Sequence, residues 1–314
     1  MPPMRILALL CLLTALQAHA FPNGPINVVV PLAPGDAADI SARAMGEEMA
    51  KALNAPVVAV NRPGAGGALA AASVAQARKD GQTILFAQNS ALTFRVVLDR
   101  QSISYDPVRD LVPLGISSRT PSVLAVRGDA PYKSFAELVD YAKKNPGRVR
   151  IGHPGVGSVG HFCVQLINSL TGAELVAVPH TGAAPAVTAL RGGHIEGVVL
   201  ALGALSTHLK AGTFRGIATS SRVAEVDIPT LRELGHPEEL FGIWFSFLAP
   251  AGIPEDARKA LVGAVEQAVK APAVVAKLAP LGILQSYAGP EAQTAEIAEE
   301  TKRVTKMMGK TGVR

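Results

Sequence analysis

Short unbroken apolar runs alternate along this chain with longer stretches whose apolar positions recur at helical spacing. The run Val28-Val29-Val30, inside residues 25–31, predicts a strand buried on both faces, as in a parallel sheet. Ile40, Met45, Met49 and Leu53 then share one face of a helix predicted over 38–53, which Pro56 stops. A strand over 57–60, an alanine-rich helix over 68–77 and a strand over 83–87 continue the alternation. Between them, Asn61-Arg-Pro-Gly-Ala-Gly-Gly67 suits only a loop. Strands alternating with helices predict an α/β fold, a mostly parallel sheet joined by right-handed crossovers.

Residues 111–126, LVPLGISSRTPSVLAV, break the rhythm. They are extended, contain no helical pattern, and predict a crossing between two lobes. Beyond them the alternation restarts. Ser134 and Glu137 form a capping box for a helix ending near Asn145. Strand 149–152 runs into a tight loop over 153–157, and Ser158 opens an apolar helix. Strands over 175–178, 195–200 and 214–218 alternate with helices over 183–191 and 203–211. Residues 241–248 are aromatic and extended and predict the return crossing. Helices over 254–270, 273–278 and 291–308 then pack back on the first lobe. The expected division is 21–118 plus 246–314 for lobe 1 and 119–245 for lobe 2. Two crossings then form a hinge, with a ligand cleft between the lobes.

The first twenty residues stand outside that core. Arg5, the apolar run 6–16 and Ala18-His19-Ala20 predict a signal peptide cleaved after Ala20, hence a periplasmic protein. The chain has 314 residues, 48% hydrophobic and 18% charged, enough for two lobes. Its formal charge of +5 drops by one with Arg5 and is spread along the chain. There is no basic cluster with interleaved aromatics, so nucleic acid is excluded as a partner. Cys163 is the one cysteine outside the leader. That excludes an intramolecular disulfide, and its apolar helix suits a small buried side chain.

Two stretches carry the candidate chemistry. In each a strand runs through a small-residue loop into a helix start: residues 32–37 into 38 onward, and 153–157 into 158 onward. Free N–H groups and the helix dipole at such a start suit an anion. Two of them facing each other would clamp a carboxylate. Gly155, Gly157 and Gly160 match G-x-G-x-x-G, but the next strand ends at Val178-Pro179-His180 without the acid a ribose would need. Ser158 lacks the glycine at 156 of a nucleophile elbow and is better placed as a ligand donor or helix cap. His161 and His180 are candidates to line the cleft, or to satisfy loop carbonyls. Asp39 is read as dipole compensation and loop bracing. Asn89, just past strand 83–87, is placed at the cleft because ligands gather at the carboxyl ends of such strands.

Eight segments in order between Val29 and Pro254 resemble the substrate-binding receptors of tripartite tricarboxylate transporters, the Bug receptors. They are VVPLAPGDAADISAR, NRPGAGG, YDPVRDLVPLG, GHPGVGSVGH, VPHTGAAPA, LRGGHIEGV, HLKAG and WFSFLAPAGIP. The resemblance implies a two-lobed type II periplasmic-binding-protein fold. It implies a receptor, not an enzyme and without a cofactor, that captures a small organic acid and hands it to a membrane permease. The expected form is a monomer. By resemblance the carboxylate lies against backbone N–H groups and waters of two facing loops. The first supplies Ala33, Pro34, Gly35, Asp36, Ala38 and Asp39, and the second Gly157, Ser158 and His161. His180, Gly182 and Ala184 form a further wall, and Leu200 lies at a strand end. Three positions depart from the family pattern: Asp36 replaces a small residue, His180-Thr181 replaces Tyr-Lys, and Leu200-Ala201 replaces an Asp-Asn type pair. An enzyme of hydrolase type and similar architecture using Ser158 or a cleft histidine, and a sensing subunit for a membrane partner, are the alternatives.

Overall fold

The computed structural model describes residues 21–223 and 226–311; the leader expected over residues 1–20 lies outside them. The chain opens with β1 (Ile26–Val30), α1 (Ala37–Leu53), β2 (Val57–Asn61), α2 (Ala68–Ala75) and β3 (Thr83–Gln88). A π-helical turn (Ser90–Phe94) and the short α3 (Arg95–Leu98) lead to β4 (Leu111–Thr120). The second lobe holds β5 (Ser122–Arg127), α4 (Phe135–Lys144), β6 (Arg150–His153), α5 (Val159–Thr171) and β7 (Val176–Pro179). It continues through α6 (Ala183–Arg191), β8 (Gly197–Ala201), α7 (Leu202–Lys210) and β9 (Phe214–Thr219). The chain returns with β10 (Ile243–Pro250), α8 (Glu255–Lys270), α9 (Pro272–Leu278), β11 (Leu284–Ala288) and α10 (Pro290–Thr311).

Two sheets result, ordered β11-β4-β10-β3-β1-β2 and β7-β6-β8-β5-β9. Both are mixed, not mostly parallel. β1 lies parallel to β2 and β3, and β6 parallel to β7 and β8. β10 runs antiparallel to β3 and β4, and β5 antiparallel to β8 and β9. The antiparallel members are the strands that carry the chain between lobes, together with the edge strands beside them. A parallel pair needs a crossover connection, and these strands arrive without one. The chain changes sheet at Pro121 going out and between Thr219 and Ile243 coming back. Residues 119–120 and 243–245, expected in lobe 2, therefore sit in strands of the first sheet.

The two crossings are stitched side by side. Ser122 donates its hydroxyl to Phe241 O at 2.6 Å and its N–H to Ser220 Oγ at 3.1 Å. Behind them an aromatic junction joins the lobes: Phe94 meets Phe162 of α5 and Phe241, with ring centroids 4.8 and 5.0 Å apart. α10 lies across this junction and packs on both β4 and α5. Its Glu300 accepts from Asn89 Nδ2 (2.9 Å), Thr93 Oγ1 (2.8 Å) and Trp244 Nε1 (3.3 Å). The C-terminal helix thus braces the hinge as well as lobe 1.

Candidate functional site

The two glycine-to-helix stretches fold as near copies of each other. Gly35 and Gly157 have φ of 83° and 81°. The caps that follow, Asp36 and Ser158, have φ/ψ of −73°/161° and −74°/160°. Each cap N–H bonds back three residues, Asp36 to Ala33 O at 3.2 Å and Ser158 to Gly155 O at 3.1 Å. Each cap carbonyl accepts from the fourth residue on, Ile40 at 2.9 Å and Phe162 at 3.2 Å. Each glycine N–H donates to a side chain four residues later: Gly35 to Asp39 Oδ2 at 2.9 Å, and Gly157 to His161 Nδ1 at 3.4 Å. A φ near +80° is open to glycine without a Cβ penalty, so both turns are built on it.

The copies differ in charge. At the head of α1 the cap is a carboxylate, and Asp36 Oδ1 accepts from Ala38 N–H at 3.3 Å. Burial pushes the Asp36 carboxyl above its ordinary range, only partly offset by the N–H groups of Ala38 and Ala37. Asp39 adds a second carboxylate, accepting from Arg43 Nε and Asn61 Nδ2, both at 2.9 Å. Burial raises Asp39 too, but Arg43, the Gly35 N–H and Asn61 outweigh it and hold it below the usual range.

At the head of α5 no carboxylate is present. Ser158 Oγ accepts from His161 N–H at 3.2 Å. His161 is buried against His153, with ring centroids 5.0 Å apart. Burial lowers His161, and burial with the neighbouring His161 takes His153 down to about 4, so both rings are neutral at neutral pH. The hydroxyl and carbonyl of Ser158 occupy the third and fourth amides of the first turn. The first two, Val159 and Gly160, have no intrahelical partner, and both residues line the cleft.

That cleft occupies about 960 Å³ between the lobes. Leu32, Ile40, Val187, Leu200, Ile243, Phe245 and Ile283 give it apolar walls; Gln88, Thr120, Ser158 and Thr181 give it polar points. Among the described residues, Asp36 is the one charged side chain lining it. Thr120 is 2% exposed, and its Oγ1 has no hydrogen-bond partner among the described residues. No group of three or more His, Cys, Asp and Glu among the described residues is placed to hold a metal ion.

Of the expected residues, Ala33, Gly35, Asp36, Ser158, Gly182, Ala184 and Leu200 line the cleft. Pro34, Ala38, Asp39, Gly157, His161 and His180 do not line it. Ala38 is fully buried, and His180 Nδ1 lies 3.0 Å from Val178 O, holding its own loop. Asn89, expected to face the cleft, is fully buried on the far side of β3 and donates to Gly242 O at 3.0 Å and to Glu300. Its neighbour Gln88, the last residue of β3, lines the cleft instead, and at Asn89 the chain has already turned into the π-helical segment, with φ/ψ of −52°/−27°. The strand-end rule thus located the element but missed the residue by one. Sequence reasoning also missed Thr120 and Ser122 at the outward hinge, residues 63–67, and Leu281 and Ile283. It had no signal for the last two, which reach the cleft from the distant C-terminal part of the chain.

Two further contacts bring the lobes together. A Cβ on Gly157 would stand 2.1 Å from Arg95 Cδ, and one on Gly203 1.9 Å from Leu281 O. Only bare glycines let lobe 2 approach lobe 1 at these points.

Residues 41–313 match the family described as tripartite tricarboxylate transporter family receptor. The chain is 31% identical to protein BugT of Bordetella pertussis over 95% of its length and 92% of that protein. It superposes on the periplasmic binding protein BugD with a TM-score of 0.84 at 29% identity, covering 94% of this chain and 99% of that one. It is also similar to MatC of Rhodopseudomonas palustris, solved with bound malate. There the TM-score is 0.81 at 30% identity, over 91% of this chain and 99% of that one.

Proposed function

The chain belongs to the tripartite tricarboxylate transporter receptor family, and from that premise we propose an exported receptor that closes its lobes on one small organic carboxylate. It presents the closed form to a membrane permease of the same transport system and leaves the ligand chemically unchanged. The observation that carries this is the head of α5. Its two unspent amides, Val159 and Gly160, sit at the positive end of a thirteen-residue helix lining an interlobe cleft. A carboxylate there gains charge-assisted hydrogen bonds from the main chain, without a cationic side chain. The malate bound by MatC, a relative of the same fold, supports a carboxylate as the ligand.

A hydrolase finds no support in the geometry. The Ser158 hydroxyl caps its helix by accepting from the His161 main chain, and the His161 imidazole accepts from Gly157. No side-chain hydrogen bond joins Ser158 to a histidine among the described residues, whereas an activated nucleophile needs one.

The test is a thermal-shift screen over mono-, di- and tricarboxylates, acidic amino acids and aromatic acids, since a ligand of the native state raises the melting temperature by mass action. At least one acid is expected to raise it and to be recovered unchanged after overnight incubation. No shift with any acid, or consumption of the acid, contradicts the proposal. Loss of uptake in a strain lacking only this protein separates delivery from sensing.

A further inference from the structure

If the carboxylate sits at the head of α5, the rest of the cleft constrains what is attached to it. The opposite lobe presents the head of α1, which in backbone terms is the same anion-binding turn. There the position for an anion is already filled by the protein, because the Asp36 carboxylate caps the helix and takes the Ala38 N–H. A second ligand carboxylate would have to approach Asp36 with no cationic side chain among the described residues lining the cleft to offset the repulsion. Asp36 is half-buried and a carboxylate has acceptor sites beyond the one taken by the Ala38 N–H, so what it can still accept is a donor. Between the two heads lie apolar walls, among them Ile40, Val187, Leu200, Ile243, Phe245 and Ile283. Leu200, Ile243, Phe245 and Ile283 are already buried, so it is the half-buried Ile40 and Val187 that a small, fully polar ligand would leave wet and an apolar body would remove from water. Beside them, the buried and unpartnered Thr120 Oγ1 is a polar point still to be satisfied, as ligand sites in apolar pockets commonly offer.

Resting on the carboxylate function proposed above, we infer that the ligand is a monocarboxylate with an apolar body and a hydrogen-bond-donating end, hydroxyl or ammonium, that meets Asp36 across the cleft. Lobe 2 takes the anion and lobe 1 takes the donor. Asp36 selects against a diacid by charge and for the donor by hydrogen bonding, so one side chain sets the ligand class.

The experiment is calorimetric titration of the full mature chain with two matched sets. One is hexanoate, its terminal hydroxy and amino derivatives, and adipate. The other is para-methylbenzoate, its hydroxymethyl and aminomethyl counterparts, and terephthalate. In at least one set a donor-bearing acid is expected to bind about tenfold or more tightly than the diacid, with the unsubstituted parent between them. Comparing the hydroxy and amino arms tells which donor is read. In Asp36→Asn, which keeps a good helix cap, the diacid is expected to rise until the gap closes to within about threefold. A diacid that binds the native protein as tightly as the donor-bearing acid overturns the inference and leaves the carboxylate function standing. So does a donor-bearing acid no tighter than its parent, a gap that survives in Asp36→Asn, or binding confined to di- and tricarboxylates. Failure of every acid in the thermal-shift screen overturns the function itself, and the inference with it.

Discussion

The heads of α1 and α5 share a left-handed glycine, a cap residue within a degree or two in φ and ψ, and the same pattern of turn hydrogen bonds. Their charge differs through two side-chain positions. Asp36 and Asp39 place two carboxylates at the first head; Ser158 and His161 place a hydroxyl and a neutral ring at the second. Backbone geometry makes both turns capable of holding an anion. What decides is which donors the protein has already used and what charge it has left there. At α1 the site is occupied from within, and at α5 it is open.

Exchanging the caps tests this most severely. Ser158→Asp keeps a residue that caps as well as serine, so the melting temperature should move little. It fills the second head with the same internal anion as the first, and carboxylate affinity should fall by about 100-fold or more, roughly 3 kcal/mol by titration calorimetry. Next in size is the closure contact. Gly203→Ala sets a methyl against Leu281 O, a main-chain atom that cannot swing aside. Affinity should drop by about 30-fold, with each lobe still folded by circular dichroism. Gly157→Ala should cost less if Arg95 yields, because the clash is with the middle of a flexible side chain. Its positive φ still adds strain, and Arg95→Ala should recover part of the loss.

The reverse exchange, Asp36→Ser, removes the internal anion from the first head. A diacid should then gain about fivefold, since an unblocked helix start contributes about 1 kcal/mol toward an anion.

A separate effect, on stability and not on binding, concerns Glu300, an acid of lobe 1 that has no counterpart in the α5 turn. Burial raises its pKa from 4.5 to about 7, against the pull of Thr93, Asn89 and Trp244. Between those values the native state holds a proton that the unfolded chain has released. The contribution of Glu300 to stability is therefore greatest below about 4.5, falls as pH rises through the window, and is least above about 7. Urea melts should show a loss on the order of 3 kcal/mol between the two ends, and Glu300→Gln should flatten it.

Much of the frame was legible beforehand, and the reasons are local. Val28 to Val30 had to be a doubly buried strand; Ser134 had to cap a helix and Ser158 to open one; residues 111–126 had to leave one sheet for the other. The misses come from non-local chemistry. β11 is a short, half-buried edge strand with no strong alternation, paired only because β4 lies beside it. The π-helical turn after β3 is fixed by Phe94 entering the aromatic junction with α5, about seventy residues on. Asp36 was legible as a charge near an anion site. Its role as the cap that fills the site depends on a φ/ψ pair that no residue count supplies.

The most direct measurement is of the amides themselves, by following backbone ¹⁵N–¹H resonances while a binding acid is titrated in. The account predicts that Val159 and Gly160 shift downfield and saturate with the ligand, while Ala37 and Ala38 at the Asp36 head show no such hydrogen-bonding shift. Saturation with Val159 and Gly160 unmoved, or with the shift at Ala37 and Ala38 instead, would contradict it.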